Sequence, residues 1–236
     1  MTRVDLVIFD LDGTLIDSKE DLCCAVNATR AHRGMPPLEN ETVYSYVGEG
    51  APVLIRRVLG PASTEVEVAD ALAFFLAYYK DHMIDHTTLY PGVRETLDRL
   101  LDAGVRMAVL TNKPVVMSRA IVEALGLGRH FRRVYGGNSF DQKKPHPVGI
   151  ETLVSECEST LDRTMMVGDS GVDIRTARNA RVKACGVTYG FQPETLVADP
   201  PDLLVDRLEQ LGDWVVGKEC RLKSPEIRHP KSDSPL

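Results

Sequence analysis

Apolar and polar positions fall in blocks along this chain. Leu6-Val7-Ile8-Phe9 is a short unbroken apolar run, and it stops at an acid-rich turn, Asp10-Leu11-Asp12-Gly13-Thr14. A run this short, apolar at every position, predicts a strand buried on both faces of a parallel sheet. Val105 to Leu110 repeats the pattern and stops at Thr111-Asn112. Thr164 to Val167 repeats it again and stops at Gly168-Asp169-Ser170. Two weaker runs, Ala184 to Thr188 and Leu203 to Val205, predict further strands. Between the strands the apolar spacing is helical. Leu97, Leu100 and Leu101 share a face after Pro91-Gly92, with a stop at Gly104, and Ile121 and Leu125 precede a stop at Gly126. Strands alternating with helices predict an α/β fold, a doubly wound parallel sheet covered on both faces.

From about Asp17 to Thr88 the alternation lapses. Ser18 is placed to cap a helix that carries Leu22, Val26 and Thr29 and ends near Gly34. Leu54, Ile55, Val58 and Leu59 form a second apolar stripe, and Leu72, Phe75, Leu76 and Tyr79 line one side of a third segment. The expected organisation is a core of residues 1–16 and 89–216, with an α-helical insert of 17–88 after the first strand. A polar, aperiodic segment, 217–236, is expected to be a mobile tail.

Composition narrows the functional classes. The 236 residues carry 28 basic and 34 acidic side chains, a net charge of −6. That balance argues against a general electrostatic grip on nucleic acid or on an anionic membrane. No apolar run approaches the ~18 residues that cross a bilayer, and the short apolar run after Met1-Thr2-Arg3-Val4-Asp5 ends in acids, unlike a secretory signal. Five scattered cysteines, Cys23, Cys24, Cys157, Cys185 and Cys220, form no CxxC pair. Neither a disulfide framework nor a zinc site follows, so a reduced, cytoplasmic setting is the expectation.

Candidate chemistry collects where the strands end. In an open α/β sheet, ligands bind outside the carboxyl ends of the strands. Those ends hold Asp10 and Asp12, Thr111 and Asn112, and Asp169 and Asp173. Lys144 lies in Lys143-Lys144-Pro145-His146-Pro147, between the second and third long strands. Asp10, Asp12 and Asp169 brought together repel unless a cation joins them, and hard carboxylate oxygens suit Mg²⁺. One carboxylate can serve as a covalent nucleophile, and a second, two residues on, can move protons. A lysine and a threonine hydroxyl can hold phosphoryl oxygens.

Asp10-Leu11-Asp12-Gly13-Thr14, Thr111-Asn112, Lys144-Pro145-His146-Pro147 and Gly168-Asp169-Ser170-Gly171-Val172-Asp173 resemble the four motifs of the haloacid dehalogenase superfamily. Within it the chain resembles the phosphoglycolate phosphatases. Further fragments carry that likeness: Val47-Gly48-Glu49-Gly50-Ala51, Tyr90-Pro91-Gly92-Val93, Thr111-Asn112-Lys113-Pro114 and Val187-Thr188-Tyr189-Gly190. The resemblance spans roughly residues 4 to 212. It implies a Rossmann-like core with an inserted helical cap, and a Mg²⁺-dependent phosphomonoesterase acting on a small phosphorylated metabolite, first of all 2-phosphoglycolate. It implies that Asp10 is the nucleophile and Asp12 the general acid and base. Asp10, Asp169 and the Asp12 carbonyl would hold the metal, Thr111 and Lys144 the phosphoryl group, with Asn112, Ser170 and Asp173 in support. An acid at position 12 points to phosphoryl chemistry, because the superfamily's dehalogenases lack one there. Arg181 departs from the pattern, since relatives often place glycine there.

Other readings stay open. Pyrophosphate, a sugar phosphate, a phosphomutase of the β-phosphoglucomutase kind, and a non-catalytic phospho-ligand sensor are the alternatives, and both monomer and homodimer fit. Gly48-Glu49-Gly50 is the candidate loop for substrate choice, with Glu49 expected to point away or to pair with an arginine of the insert. Arg56 and Arg57 read as surface charges, His82 and His86 as exposed or hinge residues, and Cys23-Cys24 as helix packing.

Overall fold

β1 (Leu6–Phe9) and β2 (Ile16–Asp17) are followed by four helices, α1 (Lys19–His32), α2 (Asn40–Tyr46), α3 (Ala51–Leu59) and α4 (Glu65–His82). The chain then runs through β3 (Thr88–Leu89), α5 (Val93–Asp102), β4 (Arg106–Leu110), α6 (Val115–Ala124) and β5 (Arg133–Tyr135). It closes with α7 (Val148–Glu156), β6 (Thr164–Gly168), α8 (Gly171–Asn179), β7 (Lys183–Val187), β8 (Leu203–Val205) and α9 (Leu208–Val216). The structure is a computed structural model and describes residues 3–217. The polar tail expected from residue 217 therefore lies, beyond Gly217, outside the described residues.

Six strands form a parallel sheet in the order β5-β4-β1-β6-β7-β8. The chain winds outward from β1 through β4 to β5, then returns and winds the other way from β6. That reversal puts the topological switch point between β1 and β6, where doubly wound sheets open a crevice. Alternate residues of β1 feed two different cores. Leu6 and Ile8 join Ile150 and Leu153 of α7 and Ile174 and Ala177 of α8. Val7 and Phe9 join Leu97 and Leu100 of α5, Ile121 of α6 and Leu208 and Leu211 of α9. A strand buried on both faces has to be apolar throughout, which is why the period-2 signal is absent. Among the described residues no helix is long and apolar enough to cross a membrane.

The four insert helices pack on one another, α1 and α3 each against α4. Thr64 and Glu67 close a capping box that starts α4. β2 and β3 pair antiparallel where the chain leaves and rejoins the core.

Some details depart from the sequence-based expectation. β5 was not expected: Arg133-Val134-Tyr135 is three residues long at the sheet edge, too short and too exposed for an apolar run. α2 has seven residues and buries only Val43, so it shows no periodicity. Ser18 does occupy the N-cap position of α1, but its hydroxyl makes no capping bond. It donates instead to Asp12 Oδ1 at 2.5 Å. Arg181, where the resemblance leads one to expect glycine, follows the α8 cap residue Ala180 with φ at 58°, in the left-handed region.

Candidate active site

The turn after β1 is held against β6. Asp10 N donates to Val167 O at 2.9 Å, which carries the β1–β6 ladder to the first residue of the turn. Gly13 has φ at +79°, and a Cβ there would lie 2.3 Å from Asp169 Oδ2. Left-handed backbone and close approach together leave glycine as the one residue that fits. Gly190 also presses on this side chain, where a Cβ would lie 2.2 Å from the Asp169 Cβ. Close backbone packing thus fixes Asp169, whose Oδ2 accepts Phe191 N–H at 2.6 Å.

Asp10, Asp169 and Asp173 are all buried and offer carboxylate oxygens within 4.8 Å of one another. Lys144 Nζ lies 2.6 Å from Asp173 Oδ1 and 2.9 Å from Asp10 Oδ1. The second contact is off the line of a hydrogen bond, so Asp10 Oδ1 is buried without a hydrogen-bonded partner. Both Asp173 oxygens are engaged, Oδ1 by Lys144 and Oδ2 by Ser170 Oγ at 2.8 Å and Ser170 N at 3.2 Å. Burial pushes Asp10 up to about 6, with Lys144 opposing and Asp173 adding to the shift. Burial pushes Asp169 up to about 8, with Asp173 and Asp10 adding. For Lys144 burial is the largest influence and disfavours the ammonium, yet Asp10 and Asp173 together hold it above the ordinary lysine range. Three carboxylates facing one ammonium leave an excess of negative charge that a hard cation would offset.

Asp12 does not join this cluster by its side chain. Its carboxylate turns toward α4 and accepts from Lys113 Nζ at 2.8 and 3.0 Å. Lys113 Nζ also donates to Tyr79 OH at 2.8 Å. Thr111 is buried beside them, and its Oγ1 accepts Lys113 N–H at 3.2 Å. Asp10, Asp12, Thr111 and Asp169 line the floor of one cavity, and Leu22, Leu54, Phe75 and Met117 form apolar walls.

Besides these walls, the insert reaches the cavity through its backbone. Gly48 and Gly50 line it. Asn112 Nδ2 donates to Gly48 O at 3.0 Å and to Lys144 O at 3.2 Å. Lys143 Nζ donates to Glu49 O at 2.5 Å. Glu49 turns its carboxylate to Arg57 on the surface, and Arg56 pairs with Glu65. His82 pairs with Asp85, and His86 with Asp21 at the return to the core.

Sequence reasoning gave no role to Lys113, Tyr79, Ser18, Phe191 or Gln192 at this site. Lys113 stood within the Thr111-Asn112-Lys113-Pro114 fragment, beside residues that were assigned. A lysine three positions past a buried strand end, with no surface pattern around it, is the signal that marks it. Gln192 has no such signal. Its Nε2 donates to Ser45 O at 2.8 Å and Val47 O at 2.9 Å, across a sequence gap that no periodicity spans.

The chain is similar to known proteins. A family model described as haloacid dehalogenase-like hydrolase matches residues 7–187. A phosphoglycolate phosphatase of Pseudomonas syringae pv. syringae is 37% identical over 234 residues, covering 96% of this chain and 85% of that protein. Another from Vibrio parahaemolyticus is 40% identical over 222 residues, covering 89% of this chain and 96% of that one. A crystal structure from Haemophilus somnus, described as a predicted phosphoglycolate phosphatase, superposes with a TM-score of 0.84 at 32% identity. It covers 89% of this chain and 97% of that one.

Proposed function

This chain belongs to the haloacid dehalogenase-like hydrolases, and from that premise we propose that it is a Mg²⁺-dependent phosphomonoesterase acting on 2-phosphoglycolate. The observation that carries the reading is the environment of Asp10. One of its oxygens is buried without a hydrogen bond, beside Lys144, in a cluster whose negative charge exceeds the positive charge present. Asp10, Asp169 and the Asp12 carbonyl would hold Mg²⁺, a donor set of hard oxygens that suits it. When bound, the ion supplies positive charge to offset the phosphoryl oxygens.

The protein's own groups divide the remaining work. Lys144 and Thr111 hold the phosphoryl group against Asp10. A carboxylate oxygen of Asp10 bonds to phosphorus as the bond from phosphorus to the ester oxygen breaks. The electron pair stays on that oxygen, which takes the proton of Asp12 and leaves as glycolate. Asp12, now a carboxylate, takes a proton from water as the water oxygen bonds to phosphorus. The Asp10–phosphorus bond breaks, and phosphate departs. Asp173 and Ser170 fix Lys144, and Asn112 ties its carbonyl to the insert. The apolar walls exclude bulk water from the aspartyl-phosphate. Gly48, Glu49 and Gly50 bring backbone N–H groups to the start of α3, where they would receive the substrate carboxylate.

Relatives named phosphoglycolate phosphatase support this choice of substrate over pyrophosphate or a sugar phosphate. A set of small phosphate esters and pyrophosphate, ranked by kcat/KM with Mg²⁺, tests it. Phosphoglycolate should lead by at least about tenfold. EDTA should silence turnover and added Mg²⁺ restore it. A higher kcat/KM for another ester overturns the substrate, and full activity with no bound metal overturns the metal.

A further inference from the structure

Asp12 gives and takes the proton in this mechanism, and its carboxyl has to be aimed. Lys113 is only 7% exposed, although it is a lysine. A buried ammonium is costly unless its donors are satisfied. Here the acceptors are the two Asp12 oxygens, at 2.8 and 3.0 Å, and Tyr79 OH at 2.8 Å. The same ammonium lies 4.5 Å from the centre of the Tyr79 ring. Its donors are thereby engaged, so it is not a second phosphoryl ligand beside Lys144. Ser18 adds a hydroxyl to Asp12 Oδ1. Tyr79 is itself rigid, buried to 2% exposure and stacked on Phe75 with the rings 4° from parallel. Lys113 and Asp12 belong to the sheet core, whereas Tyr79 belongs to the insert helix α4.

A buried ion pair is weak evidence of stabilisation, since apolar residues of similar volume often serve as well. Its place beside Asp12 points to another use. We propose that Lys113, held by Tyr79, is a positioning residue that aims the Asp12 carboxyl at the leaving group, and that seating the insert completes this arrangement. The proposal rests on the phosphomonoester reading above. The two buried lysines then serve opposite ends of the substrate, Lys144 the phosphoryl group and Lys113 the leaving group.

The test compares kcat/KM for ethyl phosphate, p-nitrophenyl phosphate and 2-phosphoglycolate in wild type, Lys113→Met and Tyr79→Phe. This ratio reports steps up to release of the alcohol, so it isolates the acid step from later hydrolysis. Ethoxide departs poorly without a proton, and p-nitrophenolate departs readily without one. Lys113→Met should lose roughly 10²-fold on both alkyl esters and less than about fivefold on the aryl ester. Tyr79→Phe removes one hydroxyl and should lose about fivefold on the alkyl esters, with the aryl ester within about twofold. Equal losses on alkyl and aryl esters would make the pair merely structural and overturn the proposal. Loss on phosphoglycolate with ethyl phosphate unchanged would make Lys113 a carboxylate receptor and overturn it also. If Lys113→Met does not fold, Tyr79→Phe decides alone. A wild type that cleaves ethyl and aryl phosphates but spares phosphoglycolate refutes the substrate assignment and leaves this proposal to its own ratio. A wild type that cleaves no ester refutes both.

Discussion

Position 10 asks a carboxylate to be charged where burial opposes charge. Its raised value, about 6, means the ionised form is destabilised in the fold relative to the unfolded chain. The sign follows: the fold loses stability as pH rises through the ordinary carboxylate value toward the raised one. Asp10→Asn removes both the charge and the nucleophile. Turnover should fall by at least about 10³-fold. In metal-free buffer at neutral pH the variant should melt higher than wild type. A lower melting temperature would show that pairing with Lys144 outweighs the burial of the Asp10 charge. Arg181 presents a different residue-scale conflict. Its φ of 58° costs an L side chain about 1–2 kcal/mol, whereas glycine adds less than about 1 kcal/mol of unfolded-state entropy. Arg181→Gly should therefore stabilise the protein by about 0.5–1 kcal/mol in urea unfolding, with kcat unchanged. No gain would mean that its side chain makes up the difference.

At the scale of elements, the two ends of the insert are tied to each other where they meet the core. Asp21 in the first turn of α1 accepts His86 N–H at 3.0 Å, Thr87 N–H at 2.9 Å and the Thr87 hydroxyl at 2.7 Å. It thereby clasps the outgoing helix to the returning segment just outside the β2–β3 pair. Burial pushes the Asp21 carboxyl up, but the bonds from Thr87 and His86 outweigh it and hold the group below the ordinary range. His86 is raised, chiefly by its bond to Asp21, with Glu20 and Asp85 adding negative charge. The two signs differ. Asp21 contributes stability that is present above about pH 4 and lost as pH falls through its lowered value. His86 contributes stability that is present below about pH 6.5 and lost as pH rises through its raised value. Melting temperature against pH should fall on both sides. His86→Ala should flatten the upper limb and, because one of the bonds that lower Asp21 is lost, the lower limb to a smaller extent. Asp21→Ala should flatten both and cost about 3 kcal/mol, because it strands buried donors. An upper limb unchanged by His86→Ala would mean that the histidine takes no part in the clasp.

Across the whole molecule, three core side chains reach backbone carbonyls of the insert over the cavity. Gln192 reaches Ser45 and Val47, Asn112 reaches Gly48, and Lys143 reaches Glu49. All three donors lie on loops at the carboxyl ends of the sheet strands, so closure of the insert and assembly of the site share one surface. Gln192→Ala removes two of these bonds without touching the floor of the cavity. KM for the phosphate ester should rise about three- to tenfold, while the Mg²⁺ concentration for half-maximal activity stays unchanged. An unaltered KM would assign closure to the apolar walls.

Hydropathy alone determined the long parallel strands, the helical insert and the polar strand ends, because a strand buried on both faces must be apolar over its length and must stop where polar chemistry begins. The motifs pointed to Asp10, Thr111 and Asp169 because each lies at or beside such a stop, and to Lys144 by resemblance, since it lies in a loop with no strand stop beside it. Beyond that, local pattern fell silent. β5 gains its place by pairing with β4, and three residues at an edge carry no period of their own. Ser18 looks like a helix cap in sequence, and only the fold reveals Asp12 as its acceptor. Lys113 and Tyr79 are 34 positions apart, and Gln192 and Ser45 are 147. Contacts of that separation depend on how the insert is laid over the sheet. Sequence periodicity encodes which face of an element is buried, and only the tertiary structure decides which polar group that face delivers to another.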